Sequence, residues 1–363
     1  MKKLVVLFLG VFAVLTLSAC GGAVDIGIVL PTNDEPRWVQ DEERFEALLD
    51  ETDYSVEILF SDGDTAVERS NVESLVAQGI KVLIITAQDG DAAAAAVEHA
   101  KAEGVTVIAY DRLITNTDAV DYYVTFDSIA VGEAQAQYLV DNATGTGNPL
   151  YLYAGAASDN NAFLFFEGAW NVLQPKIADG TFELINSSEA VNHRSKAALT
   201  RDELADIIDQ VTTNWDFNEA INKAEAHLTE ATADEKGDVF ILAPNDGTAR
   251  SIADTFLDDN DVSSIVITGQ DAERASIQYI IDDIQSMTVF KDVRILVEDA
   301  MTVAVDVLEA NEISTTGSYD NGSIDVPSIQ TDVIVVDRNN VLEVIFDSGY
   351  YDEDDFDNID DLN

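Results

Sequence analysis

Short runs of apolar and β-branched residues alternate along this chain with longer amphipathic segments. The apolar runs predict strands, which include Asp25–Leu30, Ser55–Phe60, Val82–Thr86, Val105–Ala109, Tyr122–Phe126, Leu150–Tyr153, Phe182–Ile185, Val239–Leu242, Ile265–Thr268 and Val333–Val336. The amphipathic segments predict helices, which include Trp38–Glu51, Thr65–Gln78, Asp91–Glu103, Ile129–Val140, Asn160–Ile177, Phe217–Thr229, Gly247–Asp258, Ala272–Asp283 and Asp292–Glu309. Near-continuous apolar strands between helices are typical of a parallel sheet covered on both faces. So many strands in one α/β chain indicate two such sheets.

Two further segments lack this alternation. The run ATGTGNP at 143–149 is rich in turn residues and predicts a connection between the two halves. The last residues, YYDEDDFDNIDDLN at 350–363, form an acidic tail that we expect to be solvated and poorly ordered. Its aspartates lack the glycine and the final glutamate of an EF-hand loop, so the tail does not predict a calcium site.

The first 20 residues, MKKLVVLFLGVFAVLTLSAC, have the layout of a secretory signal. Two lysines precede an apolar run that is too short to span a bilayer as a stable helix. The ending LSAC resembles a bacterial lipobox, in which the cysteine is acylated and becomes the mature N-terminus. We therefore expect a signal peptide at 1–19, a lipidated linker at 20–23 starting with Cys20, and attachment to a membrane face by two or more acyl chains.

Charge narrows the choice of partners. The 363 residues contain 69 acidic and 19 basic side chains, for a net charge of −50. Such a surface repels phosphates, which excludes a nucleic-acid partner. It also suits a saline habitat, where salt screens the repulsion between carboxylates. Cys20 is the single cysteine, so no disulfide can form once it carries lipid.

Motifs for catalysis, metals and cofactors are missing. The three histidines, His99, His193 and His227, are far apart in sequence, and no GxSxG elbow, GxxxxGK[ST] loop or GxGxxG turn occurs. We therefore predict neither an enzyme, nor a cofactor, nor a metal site.

Candidate binding residues follow the predicted strands, at the edge where ligands of open α/β sheets bind. They combine tryptophan with carboxylate, amide and cationic side chains, and comprise Arg37, Trp38, Asp111, Arg112, Asn160, Asn161, Trp215, Asp246, Asp271 and Lys291. Sugar hydroxyls both donate and accept hydrogen bonds, and the C–H face of a pyranose packs on an indole, so this set suits a sugar.

Each of these residues also has a purely structural interpretation. Asp246 and Asp271 follow strands and could be helix N-caps, and Trp38 could be a partly buried core residue, as could Trp215. Asp111-Arg112 could be a structural ion pair. Their shared position on one edge of the sheets favours the binding interpretation.

An ordered series of motifs resembles the bacterial periplasmic sugar-binding proteins, and within them the xylose-binding and multiple-monosaccharide-binding branch. The motifs are YDRLI, VDYYVTFD, SDNNAFLFFEGAWNVLQP, APNDG, TGQDAE, TVFKD and YDNGSIDVPS. The resemblance covers nearly the whole mature chain. It implies the type 1 fold, with two Rossmann-like lobes joined by three hinge strands near Asp127, Phe290 and Ile329. The N-terminal lobe would comprise 24–126 and 291–327, and the C-terminal lobe 127–290 and 328–349.

The resemblance also implies roles for the candidate residues. Trp38 and Trp215 would stack on the sugar, and Lys291 would lie at the hinge. The remaining hydrogen bonds would come from Arg37, Asp111 and Arg112 in the N-terminal lobe and from Asn160, Asn161, Asp246 and Asp271 in the C-terminal lobe. Asp89 and Asn218 are weaker candidates, and the acidic stretch Asn192–Asp209 departs from the family pattern.

The resulting hypothesis is a monomeric, lipid-anchored, extracytoplasmic protein that binds an aldose such as xylose, glucose, galactose or arabinose and delivers it to an ABC permease. A sugar sensor that presents its closed form to a receptor or kinase is the alternative. A carbohydrate-active enzyme would need two carboxylates placed across a scissile bond. A repressor with this lobe architecture is contradicted by the signal segment and by the lack of a basic helix-turn-helix.

Overall fold

The structure is a computed structural model that describes residues 24–49 and 52–362; the predicted signal peptide and Cys20 lie outside them. The first third of the chain alternates strands and helices, namely β1 (Ile26–Leu30), α1 (Pro36–Leu49), β2 (Val56–Phe60), α2 (Thr65–Gln78), β3 (Val82–Ile85), α3 (Ala94–Ala102), β4 (Thr106–Tyr110) and β5 (Tyr122–Phe126). The apolar strands and the amphipathic helices thus form largely where their hydrophobic periods place them.

The same alternation continues through the middle of the chain. It consists of α4 (Ser128–Asn142), β6 (Asn148–Leu152), α5 (Asn160–Ala178), β7 (Phe182–Leu184), α6 (Ser188–His193), α7 (Arg201–Val211), α8 (Phe217–Glu230), β8 (Gly237–Leu242), α9 (Asp246–Leu257), β9 (Val262–Ile267) and α10 (Arg274–Ile281). The acidic stretch 192–209 therefore contains most of α7, an amphipathic helix that buries its apolar face and starts at a capping box formed by Thr200 and Glu203.

The last part of the chain returns to the first sheet before it ends in the second half of the molecule. Its elements are β10 (Met287–Phe290), α11 (Val293–Glu309), β11 (Gly317–Asp320), β12 (Asp325–Thr331) and β13 (Ile334–Asp337). Strands β11 and β12 were not predicted, because polar residues interrupt their apolar pattern.

Two separate sheets organise these elements. A seven-stranded sheet has the order β11-β12-β5-β4-β3-β1-β2 and is parallel except for β11, whereas a four-stranded parallel sheet has the order β7-β6-β8-β9. Strands β10 and β13 pair antiparallel between them. We call the first sheet with α1, α2, α3 and α11 the first lobe, and the second sheet with α4 to α10 the second lobe. The predicted α/β fold with two parallel-sheet lobes is thereby confirmed.

Each sheet is covered by helices on both faces. In the first lobe, one apolar cluster joins the sheet to α2 and α3, and another joins the opposite face to α1 and α11. In the second lobe, α5 and α7 cover one face, and α8 and α9 cover the other. The carboxyl ends of both sets of parallel strands point towards the space between the lobes.

The C-terminal segment differs from the prediction. Instead of being solvated throughout, Tyr350 and Tyr351 are buried in the apolar cluster of α10, next to a π-helical turn at Leu342–Phe346. Phe356 packs against the ring of Tyr351. The aromatic residues explain the ordering, since they bury apolar area while most of the neighbouring carboxylates stay exposed.

Candidate functional site

A small cavity of about 300 Å³ lies between the two lobes. Its lining consists almost entirely of charged, amide and aromatic residues, namely Glu35, Arg37, Trp38, Asp111, Arg112, Asp159, Asn161, Phe165, Trp215, Asn245, Gln270, Asp271 and Lys291. Most of these residues follow the carboxyl ends of strands, where the loops of the two lobes face each other.

Arg37, at the start of α1, lines the cavity from the first lobe and forms ion pairs with three carboxylates. Its guanidinium binds Asp41 through Nε (2.6 Å to Oδ2), Asp111 through Nη2 (3.0 Å) and Asp271 through Nη1 (3.5 Å). The residue is only 3% exposed. Burial acts to lower the pKa of Arg37, but the three carboxylates outweigh it, so the guanidinium stays charged. Three carboxylates thus hold this side chain in one position.

Asp111 and Arg112 follow strand β4. Burial acts to raise the pKa of Asp111, but Arg37, Lys291 and Arg112 together hold it below its usual value, so the carboxylate is ionised. Arg112 pairs through Nε with Asp159 of the second lobe at 3.1 Å and donates from Nη1 to Ala87 O at 3.3 Å. Asp111 and Arg112 therefore both line the cavity, and Arg112 also connects the two lobes through its ion pair with Asp159.

The start of helix α5 supplies two residues from the other side. Asp159 is the N-cap of α5 and accepts from the backbone N–H of Asn161. Asn161 donates from Nδ2 to the backbone carbonyl of Asp111 at 2.9 Å. Both side chains are buried, and burial raises the pKa of Asp159 even though Arg112 opposes the shift. The N-terminus of α5 is thereby joined to the first lobe through β4.

Asp271 and Lys291 form a buried ion pair, with Lys291 Nζ at 2.7 Å from Asp271 Oδ1. Asp271 lies beyond strand β9 and Lys291 directly after β10, and the segments are neighbours because Gln270 bridges to Val289. The same Asp271 oxygen also faces Arg37. One carboxylate therefore serves two cations that come from different parts of the chain.

Three lining residues adopt left-handed backbone conformations. The φ angles are +60° at Asp111, +61° at Trp215 and +100° at Asp271. Such angles are unfavourable for non-glycine residues, most of all for a bulky one, and they cluster at functional sites. The strain at Trp215 has a local cause: the residue lies in the tight turn before α8, which starts at Phe217 as predicted and has Asp216 as its N-cap.

Trp38 and Trp215 lie on opposite sides of the cavity and are 3% and 8% exposed. Both indole Nε1 atoms are buried without a hydrogen-bond partner among the described residues, and so is Oε1 of Gln270. Buried polar atoms nearly always have a partner, because losing the hydrogen bonds to water is costly. Two donors and one acceptor on residues of the cavity wall thus have no partner among the described residues.

Two predicted residues do not reach the cavity. Asn160 faces away and accepts from Arg201 Nη1 at 2.9 Å, and the position next to the cavity is taken by Asp159. Asp246 is fully buried behind the wall, where Gln285 Nε2 and the backbone N–H of Glu273 donate to its carboxyl group. Burial, with Glu273 and Asp271 nearby, raises the pKa of Asp246 well above its usual value.

The reason for these differences is local. Helix α9 uses Asn245 as its N-cap and starts one residue earlier than predicted, so Asn245 lines the cavity and Asp246 turns inwards. Asp89, a weaker candidate, accepts from the backbone of the turn at 91–92, and Asn218 is exposed on α8. The position after a strand indicated which loops line the cavity, but it did not indicate which of two adjacent residues faces it.

Glu35 and Phe165 are the cavity residues for which the sequence gave no signal. Glu35 lies just before α1, and burial raises its pKa to about 7, with Arg112 opposing and Asp271 adding to the shift. Phe165 lies inside α5, one turn after Asn161, and its ring meets Trp215 edge-on at 6.4 Å between centroids. Within the described residues, no cluster of three or more histidine, cysteine, aspartate or glutamate side chains is suited to hold a metal ion.

The search for membrane-spanning segments gave a negative result within residues 24–49 and 52–362. None of the helices there combines the length and the apolar character that crossing a bilayer requires.

Comparison with known protein families gives a match over most of the chain. Residues 26–312 match the family described as "Periplasmic binding protein domain". Among curated relatives, the multiple sugar-binding periplasmic receptor of Rhizobium radiobacter is 33% identical and the D-xylose-binding periplasmic protein of Escherichia coli is 30% identical. The alignments cover 91% of this chain in both cases, and 91% and 92% of the relatives.

Solved structures give the same result. A carbohydrate transporter solute-binding protein from Chloroflexus aurantiacus in complex with D-glucose is 67% identical, with a TM-score of 0.91 over 92% of this chain and 98% of that chain. A solute-binding protein from Clostridium phytofermentans with bound β-D-glucose is 32% identical, with a TM-score of 0.79 over 91% and 99% of the two chains.

Proposed function

Since this chain belongs to the periplasmic binding protein family, we propose that it is the sugar-binding subunit of an ABC importer and that it encloses one aldose monosaccharide in the cavity between its lobes. The observation that carries the proposal is the set of unpartnered polar atoms in the cavity wall, Trp38 Nε1, Trp215 Nε1 and Gln270 Oε1. A sugar supplies hydroxyl groups that accept from the indoles and donate to the amide, which removes the cost of burying them.

Membership of the family confirms the resemblance predicted from the motifs. It also confirms the prediction of a binding protein rather than an enzyme, since the family consists of binding proteins, and it places the chain in an extracytoplasmic class. The two-lobed fold indicates how the protein acts. A ligand can contact both lobes at once only when they are closed, so binding stabilises the closed arrangement.

The residues around the cavity have complementary roles in this proposal. Trp38 and Trp215 present apolar faces to the C–H surfaces of the pyranose ring from opposite lobes. Asp111 and Asp271 accept from hydroxyl groups, while Arg112 and Lys291 donate to them. Arg37, Asn161 and Asn245 complete the hydrogen bonds, and the cross-lobe ion pairs orient the charged groups in the closed arrangement. Asp159 and Asn245, which line the cavity, take the hydrogen-bonding roles expected for their neighbours Asn160 and Asp246.

D-glucose is the first aldose to test, because the 67% identical relative was solved with that sugar. Isothermal titration of the purified protein with D-glucose, D-xylose, D-galactose and L-arabinose tests the proposal. Saturable binding of at least one aldose with one site per chain is expected. Absence of binding to every sugar in the panel, with an intact fold by circular dichroism, contradicts it.

The cellular context is part of the proposal. Acylation at Cys20 anchors the protein outside the cytoplasm, and the closed monomer is handed to a permease. The lobes comprise residues 24–126 with 291–331 and residues 127–290 with 332–349. The expected boundary at 327 moves to 331 because β12 pairs with β5 up to Thr331. Exchange of Cys20 for serine should release the protein from the membrane fraction. Deletion of the gene distinguishes an importer subunit from a sensor. Cells that lack an importer subunit should lose aldose uptake, whereas cells that lack a sensor should keep uptake and lose a response to the sugar.

A further inference from the structure

The C-terminal segment contacts both lobes at a place outside the cavity. Tyr350 packs edge-on against Phe290 and Tyr351, with ring centroids 4.7 Å apart in both cases, which anchors the segment in the second lobe. Tyr351 adds a hydrogen bond from its hydroxyl to the backbone carbonyl of Ala272 at 3.0 Å. The two tyrosines are therefore fixed relative to α10 and to the loop that carries Asp271.

Gln40 of helix α1 reaches this segment from the first lobe. Its Nε2 donates to the hydroxyl of Tyr351 at 2.7 Å, and its Oε1 accepts from the hydroxyl of Tyr350 at 3.3 Å. Arg44, one turn further along α1, donates from Nη2 to the backbone carbonyl of Tyr350 at 3.3 Å. Both hydroxyl protons and both ends of the amide are used in a consistent pattern of donors and acceptors.

This contact is linked to both sides of the cavity, although none of its three central residues lines it. Gln40 lies one turn after Arg37 on α1, and Ala272 follows Asp271 directly. Arg37 and Asp271 face each other across the cavity at 3.5 Å. The hydrogen bonds from Gln40 through Tyr351 to Ala272 therefore join, on the outside, the same two segments that the ligand joins on the inside.

We propose that Gln40 is a positioning residue for ligand binding, which with Tyr350 and Tyr351 forms a latch that favours the closed arrangement of the lobes. The inference rests on the proposed sugar-binding function. Apparent affinity falls with the fraction of molecules in the binding-competent arrangement, so a latch that stabilises closure raises affinity without touching the ligand.

The test compares two glutamine-to-alanine variants of the purified protein. Gln40→Ala removes the two hydrogen bonds from the Gln40 side chain to Tyr350 and Tyr351 and leaves the other contacts between the lobes in place. Gln278→Ala is the matched control, since Gln278 donates to the backbone carbonyl of Asp357 and accepts from its N–H, and so holds the same C-terminal segment within the second lobe alone. Small-angle X-ray scattering without sugar and titration with D-glucose are measured for both variants and for the wild type.

In Gln40→Ala we expect a larger radius of gyration without sugar and the wild-type radius at saturating D-glucose. The dissociation constant should rise about three- to tenfold, as expected from the net loss of one or two hydrogen bonds. Tyr351→Phe should shift both quantities in the same direction, and Gln278→Ala should leave both unchanged. Equal effects of Gln40→Ala and Gln278→Ala, or a wild-type radius and affinity in Gln40→Ala, overturn the latch.

The scattering measurement separates this inference from the proposed function. If the wild type binds no aldose, the sugar-binding proposal fails, while the radii of the sugar-free proteins still show whether Gln40 holds the lobes together. If the wild type binds D-glucose and the radius of sugar-free Gln40→Ala is unchanged, the latch fails and the sugar-binding proposal stands.

Discussion

Arg37 and Asp271 come from opposite lobes, and their side chains face each other across the cavity with Nη1 and Oδ1 3.5 Å apart. Each also has a closer partner: Arg37 binds Asp41 at 2.6 Å, and Asp271 binds Lys291 at 2.7 Å. The longer cross-lobe distance separates two groups that are each already oriented. Both side chains are therefore already oriented for a ligand that contacts them from the cavity.

Replacement of Asp271 by asparagine should weaken sugar binding and also destabilise the fold. The amide cannot neutralise Lys291, and an unpaired buried charge costs about 3–5 kcal/mol. Asp355→Asn is the control, because it removes a largely exposed ion pair with Arg274. Exposed pairs contribute about 1 kcal/mol or less. Calorimetric titration and thermal unfolding measure the two effects; an Asp271→Asn variant with wild-type affinity would show that the carboxylate does not contact the sugar.

Sugar binding should change the fluorescence of two of the three tryptophans. Trp38 and Trp215 line the cavity, whereas Trp170 is buried in the second lobe and donates from Nε1 to Lys196 O. Trp170→Phe should therefore keep the sugar-dependent signal, and the Trp38→Phe, Trp215→Phe double variant should lose it. Persistence of the full signal in the double variant would mean that the ligand binds elsewhere.

Gly155→Ala should impair binding through Trp215. A β-carbon at position 155 would lie 2.0–2.5 Å from three atoms of the indole ring, so the ring must move. We expect a loss of affinity of about 1–3 kcal/mol, the scale of losing a buried aromatic contact. Gly317→Ala, where a β-carbon has nothing within 4 Å, is the control. Unchanged affinity for Gly155→Ala would argue against stacking by Trp215.

The sequence was most informative about strands and least informative about side-chain direction. Continuous apolar runs such as Val82–Ile85 are typical of strands that a parallel sheet buries on both faces, so they indicated both the strand and its environment. Strand β12 escaped prediction because its stability comes from pairing with β5, a contact that local pattern does not contain. Helix α7 lies mostly in the acidic stretch 192–209 and was not predicted, although its capping box was present in the sequence.

At the site, the loops after strands were predicted and the individual residues only in part. Asn160 and Asp246 were chosen, whereas their neighbours Asp159 and Asn245 line the cavity. A shift of one residue rotates a side chain by about 100° around a helix, and the exact start of a helix is the least certain feature of a sequence pattern. Glu35 could not be found, since its position depends on how the two lobes meet.

The free energy of unfolding should depend on pH through Glu68. This side chain is 1% exposed on α2, and burial raises its pKa to about 7, although the N–H of Gln88 donates to it. Between about pH 4.5 and 7 the folded protein holds a proton that the unfolded chain releases, so stability falls as pH rises through this window. Below it the contribution is fully present.

Glu68→Gln should therefore flatten the dependence of melting temperature on pH between 5 and 8. The amide keeps an acceptor for Gln88 and has no proton to lose. Glu73→Gln, which removes an exposed carboxylate from the same helix, serves as the control and should follow the wild type. If Glu68→Gln shows the same pH profile as the wild type, then the buried carboxyl group does not titrate between the two states in this range.

Salt should stabilise the protein, because its net charge of −50 makes the folded chain repel itself. The Debye length shrinks from about 10 Å at 0.1 M to about 3 Å at 1 M, so repulsion between exposed carboxylates falls steeply. We expect a higher melting temperature in molar KCl than in dilute buffer. The affinity for a neutral sugar should change much less, since its contacts are enclosed.

Thermal unfolding from low to molar KCl, with and without D-glucose, is the measurement. A flat or falling melting temperature would show that the exposed charges are locally paired or well dispersed, and the inference of a saline habitat should then be dropped.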